Sequence, residues 1–323
     1  MRFVARRIGL FVITLWAALT LNFVLPRVMP GDEATAVLSH FRGVNPAALH
    51  ALQVEFGAGT NQPILSQYLD YLGNCLTLQF GLTASRTPVS TVILQGLPWT
   101  LGLVGITTVI AFILGTVVGM IGAWRRGGIF DSLLSPFLFI LTTFPVFFIA
   151  LVLLFTFAVA LGWFPISGAY TLATRPSLTL AFVGDVLAHA VLPGLTLVIT
   201  TAGTWIYTMR NNMVGSLSAD YVRMARAKGL PTWRILLNYA GRNAILPNLT
   251  GFAMQLGFVL GGSILVEYTF GYPGLGYLFY TGTTNHDLPL QQALFLFYTL
   301  AVLVCVLLAD FVTAWLDPRT REA

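Results

Sequence analysis

Asp220-Tyr-Val-Arg-Met-Ala-Arg-Ala-Lys-Gly229, followed by Arg242-Asn-Ala-Ile-Leu-Pro247, is a basic, helix-forming segment stranded between two apolar runs. The surrounding chain is 56% hydrophobic and 9% charged, with a mean hydropathy of +0.80. A soluble domain carries about 25% charged residues, so this composition reads as a polytopic, all-α membrane protein. The charged segment has helix signals at both ends. Ser218 is suited to cap a helix beginning at Ala219, and Asp220 sits in the first turn, where the helix dipole favours a carboxylate. Arg226 and Lys228 fall in the last turn, Gly229 suits the left-handed position after it, and Pro231 stops continuation and can start a second helix. That second helix carries Trp233, Leu236, Leu237 and Ala240 at helical spacing. Two uses stand open on physics alone. One is a short helix offered to a soluble partner; the other is a membrane-surface helix whose arginines reach lipid phosphate.

Outward from this segment, six stretches are long and apolar enough to span a bilayer: 8–28, 99–123, 133–161, 189–209, 248–268 and 291–315. The third contains Pro136 and Pro145, and a kink is expected near Pro145. Thirteen of the 17 Lys and Arg fall on one side of these spans. They are Arg2, Arg6 and Arg7; Arg125 and Arg126; Arg210, Arg223, Arg226, Lys228, Arg234 and Arg242; and Arg319 and Arg321. Only Arg27, Arg42, Arg86 and Arg175 lie on the other side, which places both termini in the cytoplasm. Topology therefore explains the net charge of +5, and no nucleic-acid partner is implied. The start resembles a signal peptide, but its apolar run matches a bilayer and no small-x-small site follows, so it reads as an uncleaved first span.

The organisation expected is a first helix over 1–29, an extracytoplasmic segment over 30–94, a five-helix core over 95–316 with the charged loop at 210–247, and a tail over 317–323. Asn45-Pro46 starts a short helix over 46–56. Residues 64–78 form a second, amphipathic one with a face suited to the membrane surface. The segment reads either as a lid over the outer mouth or as a docking surface for a substrate-delivery protein. Trp163–Gly168 lies in a turn-rich cap. Cys75 and Cys305 fall in an outer loop and mid-membrane, so no disulfide is expected.

The chain offers little chemistry of its own. Its single lysine, Lys228, precedes glycine, so the phosphate cradle G-x4-G-K-[ST] is absent. An ion-coupled carrier needs ionisable groups at membrane depth. The candidates are Glu267, Asp310 and His189, each of which reads more simply as a packing or interfacial group. Ser263 and His189 lack the oxyanion and supporting pattern of a hydrolase. No catalytic, cofactor or metal site is expected. Gly251, Gly257, Gly261 and Gly262 allow close helix packing, or leave room for a solute if that helix lines a path. Tyr272-Pro-Gly-Leu-Gly276 reads as a rigid turn.

The charged segment resembles the cytoplasmic motif of ABC importer permeases, the part that inserts into a cleft on the ATPase. The match is closest to the first, B-type permease of the dipeptide/oligopeptide/nickel family, whose loop reads D-Y-V-R-x-A-R-A-K-G-L and then R-N-A-x-L-P. Further landmarks occur in order: Pro30-Gly-Asp32, Gln67-Tyr68, Phe80-Gly81, Leu97–Leu101, Trp163–Gly168, His189–Pro193, Gln255–Gly257, Gly261-Gly262, Glu267, Tyr272–Gly276 and Asp317–Arg319. There are departures. Of the general E-A-A-x3-G motif only Ala225 and Gly229 are kept, with Arg223 and Met224 in the first two positions. Glu33 replaces a common proline, and Gln79 replaces a frequent Asp.

The resemblance implies a type I ABC importer permease fold with six spans in the bacterial inner membrane. It implies a homologous second permease, two ATPase subunits holding ATP and magnesium, an extracytoplasmic solute-binding protein and surrounding lipid. It assigns ATPase coupling to Asp220, Arg223, Ala225, Arg226 and Gly229. Gly257, Gly261 and Gly262 fall to the pathway or to packing. The implied cargo is short peptides first, then nickel chelates, glutathione or other small conjugates. An ion-coupled carrier of the same solutes is the competing class. A receptor would need a soluble output domain that the chain lacks.

Overall fold

The computed structural model describes residues 2–28, 63–129, 132–133, 136, 143–172, 174, 176–177, 179–259, 264–285 and 287–316. Its elements are helices: α1 (Arg2–Val28), α2 (Ile64–Thr77), α3 (Val89–Trp124), α4 (Val146–Ala160), α5 (Leu180–Leu217), α6 (Asp220–Ala227), α7 (232–259), α8 (Ile264–Thr269), α9 (Leu275–Thr284) and α10 (Leu288–Leu316). Among the described residues, four helical stretches have the length and composition to cross a membrane. They are Arg6–Val24, Val89–Trp124, Leu180–Leu217 and Pro289–Leu308. The expected helix over 46–56 and the tail lie outside the described residues.

Several boundaries differ from expectation, each for a local reason. The second span begins at Val89, ten residues before the expected 99, because the helix runs through Pro98. Proline removes one backbone donor and crowds the preceding turn. The helix then widens into a π-helical turn over Leu101–Gly105. The fourth span extends to Leu180, where the Thr179 side chain accepts from the Phe182 N–H at 3.4 Å. Pro145 does not kink a continuous helix: its backbone is extended, with ψ 140°, and α4 starts at the next residue.

The close approach of α3 and α5 organises the bundle. Small residues recur along α3 at Ala111, Gly115 and Gly119, one helical face. A Cβ at Gly119 would stand 2.5 Å from the Ile206 carbonyl oxygen and 2.9 Å from the Met209 Cβ. A Cβ at Gly115 would meet the Trp205 Cβ and stand 3.0 Å from the Ala202 oxygen. Without a hydrophobic force between helices in lipid, this backbone proximity is how dispersion holds the pair. Next to the crossing, Phe112 stacks on Phe252 at 4.4 Å and meets Trp205 edge-on at 5.4 Å, which brings α7 to the same contact.

Glu267 locks one end of the bundle. It is fully buried. Its Oε1 accepts from the Thr100 hydroxyl of α3 at 3.0 Å. Its Oε2 accepts from the backbone N–H groups of Gly276 at 2.8 Å and Tyr277 at 3.2 Å. Thr100 Oγ1 in turn accepts from Leu275 N at 2.7 Å. The first turn of α9 is thus capped by side chains from two other helices, in place of a local cap. Gly274 admits no side chain, since a Cβ there would meet Glu267 Oε2 and Thr100 Oγ1. The turn is held further by Tyr272 N to Glu267 O at 2.8 Å, Gly168 N to Phe270 O at 3.0 Å, and Tyr298 Oη to Leu275 O at 2.8 Å.

Two outcomes follow from these contacts. Gly119→Ala should force α3 and α5 apart and lower stability by about 1–3 kcal/mol. Gly9→Ala, where a Cβ meets nothing within 4 Å, should be near neutral in the same thermal unfolding measurement in detergent. Glu267→Ala leaves two backbone donors and a hydroxyl without acceptors, at about 1–3 kcal/mol each. It should fall well below Thr100→Val in unfolding temperature; equal values would show that Glu267 is not the hub.

Candidate functional site

The segment between α5 and α7 folds as a helix with a closed C-terminus and one buried face. Ser218 does not cap α6, contrary to the reading of the sequence. Its Oγ donates back to the Gly215 carbonyl at 2.8 Å, finishing α5. Hydroxyls do this readily at a helix end. Ala219 is the extended residue before α6, with ψ 150°, and no side chain caps that terminus. Asp220 does occupy the first turn and Arg226 the last.

The C-terminus closes through two reversed hydrogen bonds. Gly229 N donates to Arg226 O at 2.9 Å, and Leu230 N donates to Ala225 O at 3.3 Å. This pair is the Schellman arrangement, which needs a left-handed residue. Gly229 supplies it, with φ +68°. Leu230 packs into the same apolar cluster that receives Ala225, the hydrophobic contact that accompanies this stop.

The helix lies on an apolar floor. Val222 is fully buried and Ala225 is 2% exposed. They enter a cluster with Ala123 of α3, Met209 and Met213 of α5, and Ile235, Ala240 and Ala244 of α7. Methionine fills irregular space against small side chains. The opposite face is open. Asp220 and Arg223 side chains are 97% and 72% exposed, and their 3.5 Å contact is a solvent-screened pair of small worth. Met224 is 62% exposed and Tyr221 is also exposed. The Arg226 guanidinium sits 5.6 Å from the Trp124 ring centroid, a cation–π contact between α6 and the end of α3.

Of the five residues the sequence singled out for coupling, Asp220, Arg223 and Arg226 are therefore on the surface. Ala225 is an anchor and Gly229 shapes the stop. Trp124, Met209 and Met213 form the support and were not singled out; the only sequence signal is their apolar bulk at span ends. In α7 the π-helical stretch Ile235–Gly241 changes the phase of the helix. Ile235 and Ala240 are buried, while Trp233 and Leu237 are 60% and 50% exposed.

The other expectations fall as follows. Gly251 packs on Trp205, 3.3 Å from where a Cβ would be to the ring. Gly257 lies on α7; Gly261, Gly262 and Ser263 lie outside the described residues, as does the Asp310 side chain. His189 is 8% exposed, with Nδ1 2.8 Å from its own helix's Asp185 oxygen. Both cysteines are unpaired. Among the described residues no cluster of three His, Cys, Asp or Glu could hold a metal ion. An open cavity of about 760 Å³ lies between α3 and α5 beyond their crossing, walled by Leu103, Ile106, Ile110, Leu187, Val191 and Leu195.

Residues 115–322 match the family described as binding-protein-dependent transport system inner membrane component. The chain is 34% identical over 322 residues to an oligopeptide transport system permease protein of Bacillus subtilis, covering 98% of each. It is 33% identical over 340 residues to a di/tripeptide transport system permease protein of Pseudomonas aeruginosa, covering 99% of this chain and 98% of that one. A glutathione transport system permease protein of Escherichia coli is 32% identical over 322 residues, covering 99% of both.

Gly229→Ala should cost about 1–2 kcal/mol, since a Cβ is disfavoured in the left-handed region. Amide exchange over 222–227 should accelerate accordingly, while Met224→Ala, on the open face, should leave it unchanged.

Proposed function

The chain belongs to the family of binding-protein-dependent transport system inner membrane components, and on that premise we propose that it is the permease subunit of an ATP-driven importer of di- and oligopeptides. Its relatives in Bacillus subtilis and Pseudomonas aeruginosa carry peptide transport in their names. The proposed assembly pairs this chain with a homologous second permease, two ATPase subunits on the α6 side and a solute-binding protein on the other. Six spans with both termini in the cytoplasm fit the distribution of Lys and Arg.

The observation that carries the reading is α6. It is a short helix fixed by a buried face and a closed C-terminus, yet it presents Tyr221, Arg223 and Met224 to solvent. Large apolar side chains among charges on a rigid projection suit a protein cleft better than water. In the proposed cycle, ATP closes the ATPase pair and α6 moves with its cleft. The floor formed by Met209, Met213 and Ala123 passes that motion to α5 and α3. The spans rock to open the far mouth, and hydrolysis resets them. ATP and its magnesium belong to the ATPase chains.

Nickel chelates, glutathione and other small conjugates are the alternative cargo, and the glutathione permease of Escherichia coli keeps that reading in view. An ion-coupled carrier is the alternative mechanism. Against it, both oxygens of Glu267 are occupied by protein donors, and His189 is bonded within its own helix.

The test is uptake of a dipeptide into proteoliposomes holding this chain, a second permease, the ATPases and a loaded binding protein, with ATP on the ATPase side. Uptake should require ATP. Gly229→Trp should lower it by about tenfold, the factor that a 1.4 kcal/mol penalty produces, with the ATPases still bound. Uptake driven by an ion gradient without ATPases would overturn the proposal.

A further inference from the structure

Helix α2 carries a leucine stripe of which three members stand open and the fourth, Leu72, is half-buried. Leu65, Leu69, Leu72 and Leu76 recur at i, i+4, i+7 and i+11, which is one helical face. Leu65, Leu69 and Leu76 are 69%, 59% and 87% exposed. Asp70 and Asn74 are exposed on the other side of the helix.

The helix cannot roll to hide this stripe, because a third face is pinned to α1. Tyr68 Oη lies 2.8 Å from Thr20 Oγ1. Asn22 Nδ2 donates to Tyr71 Oη at 2.9 Å and to the Gln292 carbonyl of α10 at 2.8 Å. The Phe23 ring lies between the two tyrosines, with centroids at 5.1 and 5.5 Å. These pins sit at the end of the apolar stretch Arg6–Val24, so they hold α2 at the level where that stretch leaves the bilayer. In the same stretch of α1, Trp16, Leu21 and Val24 are exposed apolar side chains.

We infer that α2 lies in the membrane interface with its leucine stripe seated in lipid, and that Tyr68, Tyr71 and Asn22 tie this surface anchor to α1 and α10. A soluble delivery protein would leave the stripe bare to water between encounters; a bilayer covers it continuously. Tyrosine suits a membrane boundary because it joins an apolar ring to a polar hydroxyl, and here the hydroxyls of Tyr68 and Tyr71 meet Thr20 and Asn22 of α1. Ile64–Thr77 contains no Lys or Arg, so attachment rests on apolar burial, and anionic lipid should add nothing. The inference rests on the membrane placement of α1 and is independent of the transported solute.

The experiment places single nitroxide labels on the full chain, in a Cys75→Ala, Cys305→Ala background, at positions 65, 69, 76, 70 and 74. The chain is studied in phosphatidylcholine vesicles with and without phosphatidylglycerol. Labels at 65, 69 and 76 should collide with oxygen in preference to a nickel chelate, at depths of about 5–10 Å. Labels at 70 and 74 should show the reverse, and phosphatidylglycerol should change neither. Stripe labels open to the nickel chelate, or shielded from both reagents, overturn the inference. In native membranes, with both cysteines kept, Leu69→p-benzoylphenylalanine should photocrosslink to phospholipid. An adduct to another polypeptide, or within this chain, overturns it.

Discussion

A buried carboxyl group, with no cation paired to it among the described residues, sets the geometry of one end of this molecule. Glu267 has no access to solvent, and its acceptors are filled by a hydroxyl from α3 and two backbone N–H groups from α9. The positive end of a short helix does the work a guanidinium would do elsewhere. Because the cap comes from other helices, α9 is positioned only when α3 and α8 are in place. Thr100 tightens the constraint by donating to Glu267 and accepting from Leu275 with the same oxygen. Gly274 is then obligatory on space alone. Tyr298 brings α10 to the same knot through the Leu275 carbonyl, and Gly168 brings the segment after α4 through Phe270. An end built this way moves as one body, since losing any one contact strands a buried polar group.

The other end is built from small and flexible side chains. Val222 and Ala225 are short enough to let α6 lie flat on Met209 and Met213, and α7 contributes Ile235 and Ala240 to the same floor. Between the ends, Gly115 and Gly119 hold α3 against α5 with backbone nearly touching backbone. A displacement of α6 therefore reaches α5 through methionines and α3 through the Arg226–Trp124 contact, just below that crossing. Beyond the crossing the two helices together line the apolar cavity walled by Ile106 and Leu187. The arrangement has a pivot of small residues, a polar lock on one side and an adaptable contact on the other. That is the mechanical content the proposed cycle requires.

Local interactions were legible in the sequence and non-local ones were not. The helix at 220–227, its acidic first turn and its left-handed glycine stop all depend on residues within a few positions of each other. They were read correctly from Asp220, Arg226 and Gly229. Ser218 was misread because a hydroxyl at a junction can serve either helix, and the Gly215 carbonyl was the nearer acceptor. The start of α3 lies ten residues before the apolar stretch at 99–123, because Val89–Pro98 mixes Ser90, Thr91 and Gln95 with its apolar residues; the helix absorbs Pro98 and relaxes into a π turn. The phase of α7 escaped because a π-helical stretch breaks the 3.6-residue period on which side-chain facing is predicted. Glu267 was visible as a packing group, but its donors lie at Thr100 and across the 270–274 turn. No window of sequence contains both.

The two faces of α6 are under opposite physical demands, and this explains the odd composition of the segment. The inner face is small, because Val222 and Ala225 are buried in the cluster with Met209, Met213 and Ala240. In the proposed assembly a cleft gripping the helix would read side chains of distinct shape and charge, and Tyr221, Arg223 and Met224 are the ones α6 presents. Basic residues then cost little: their side chains reach water, and those near the C-terminus of the helix complement its dipole. A membrane-surface helix would instead be free to turn its apolar residues toward lipid. Here Val222 and Ala225 face the protein core and cannot turn, so Met224 and Tyr221 remain in solvent. The helix is fixed in the orientation that a partner protein would meet.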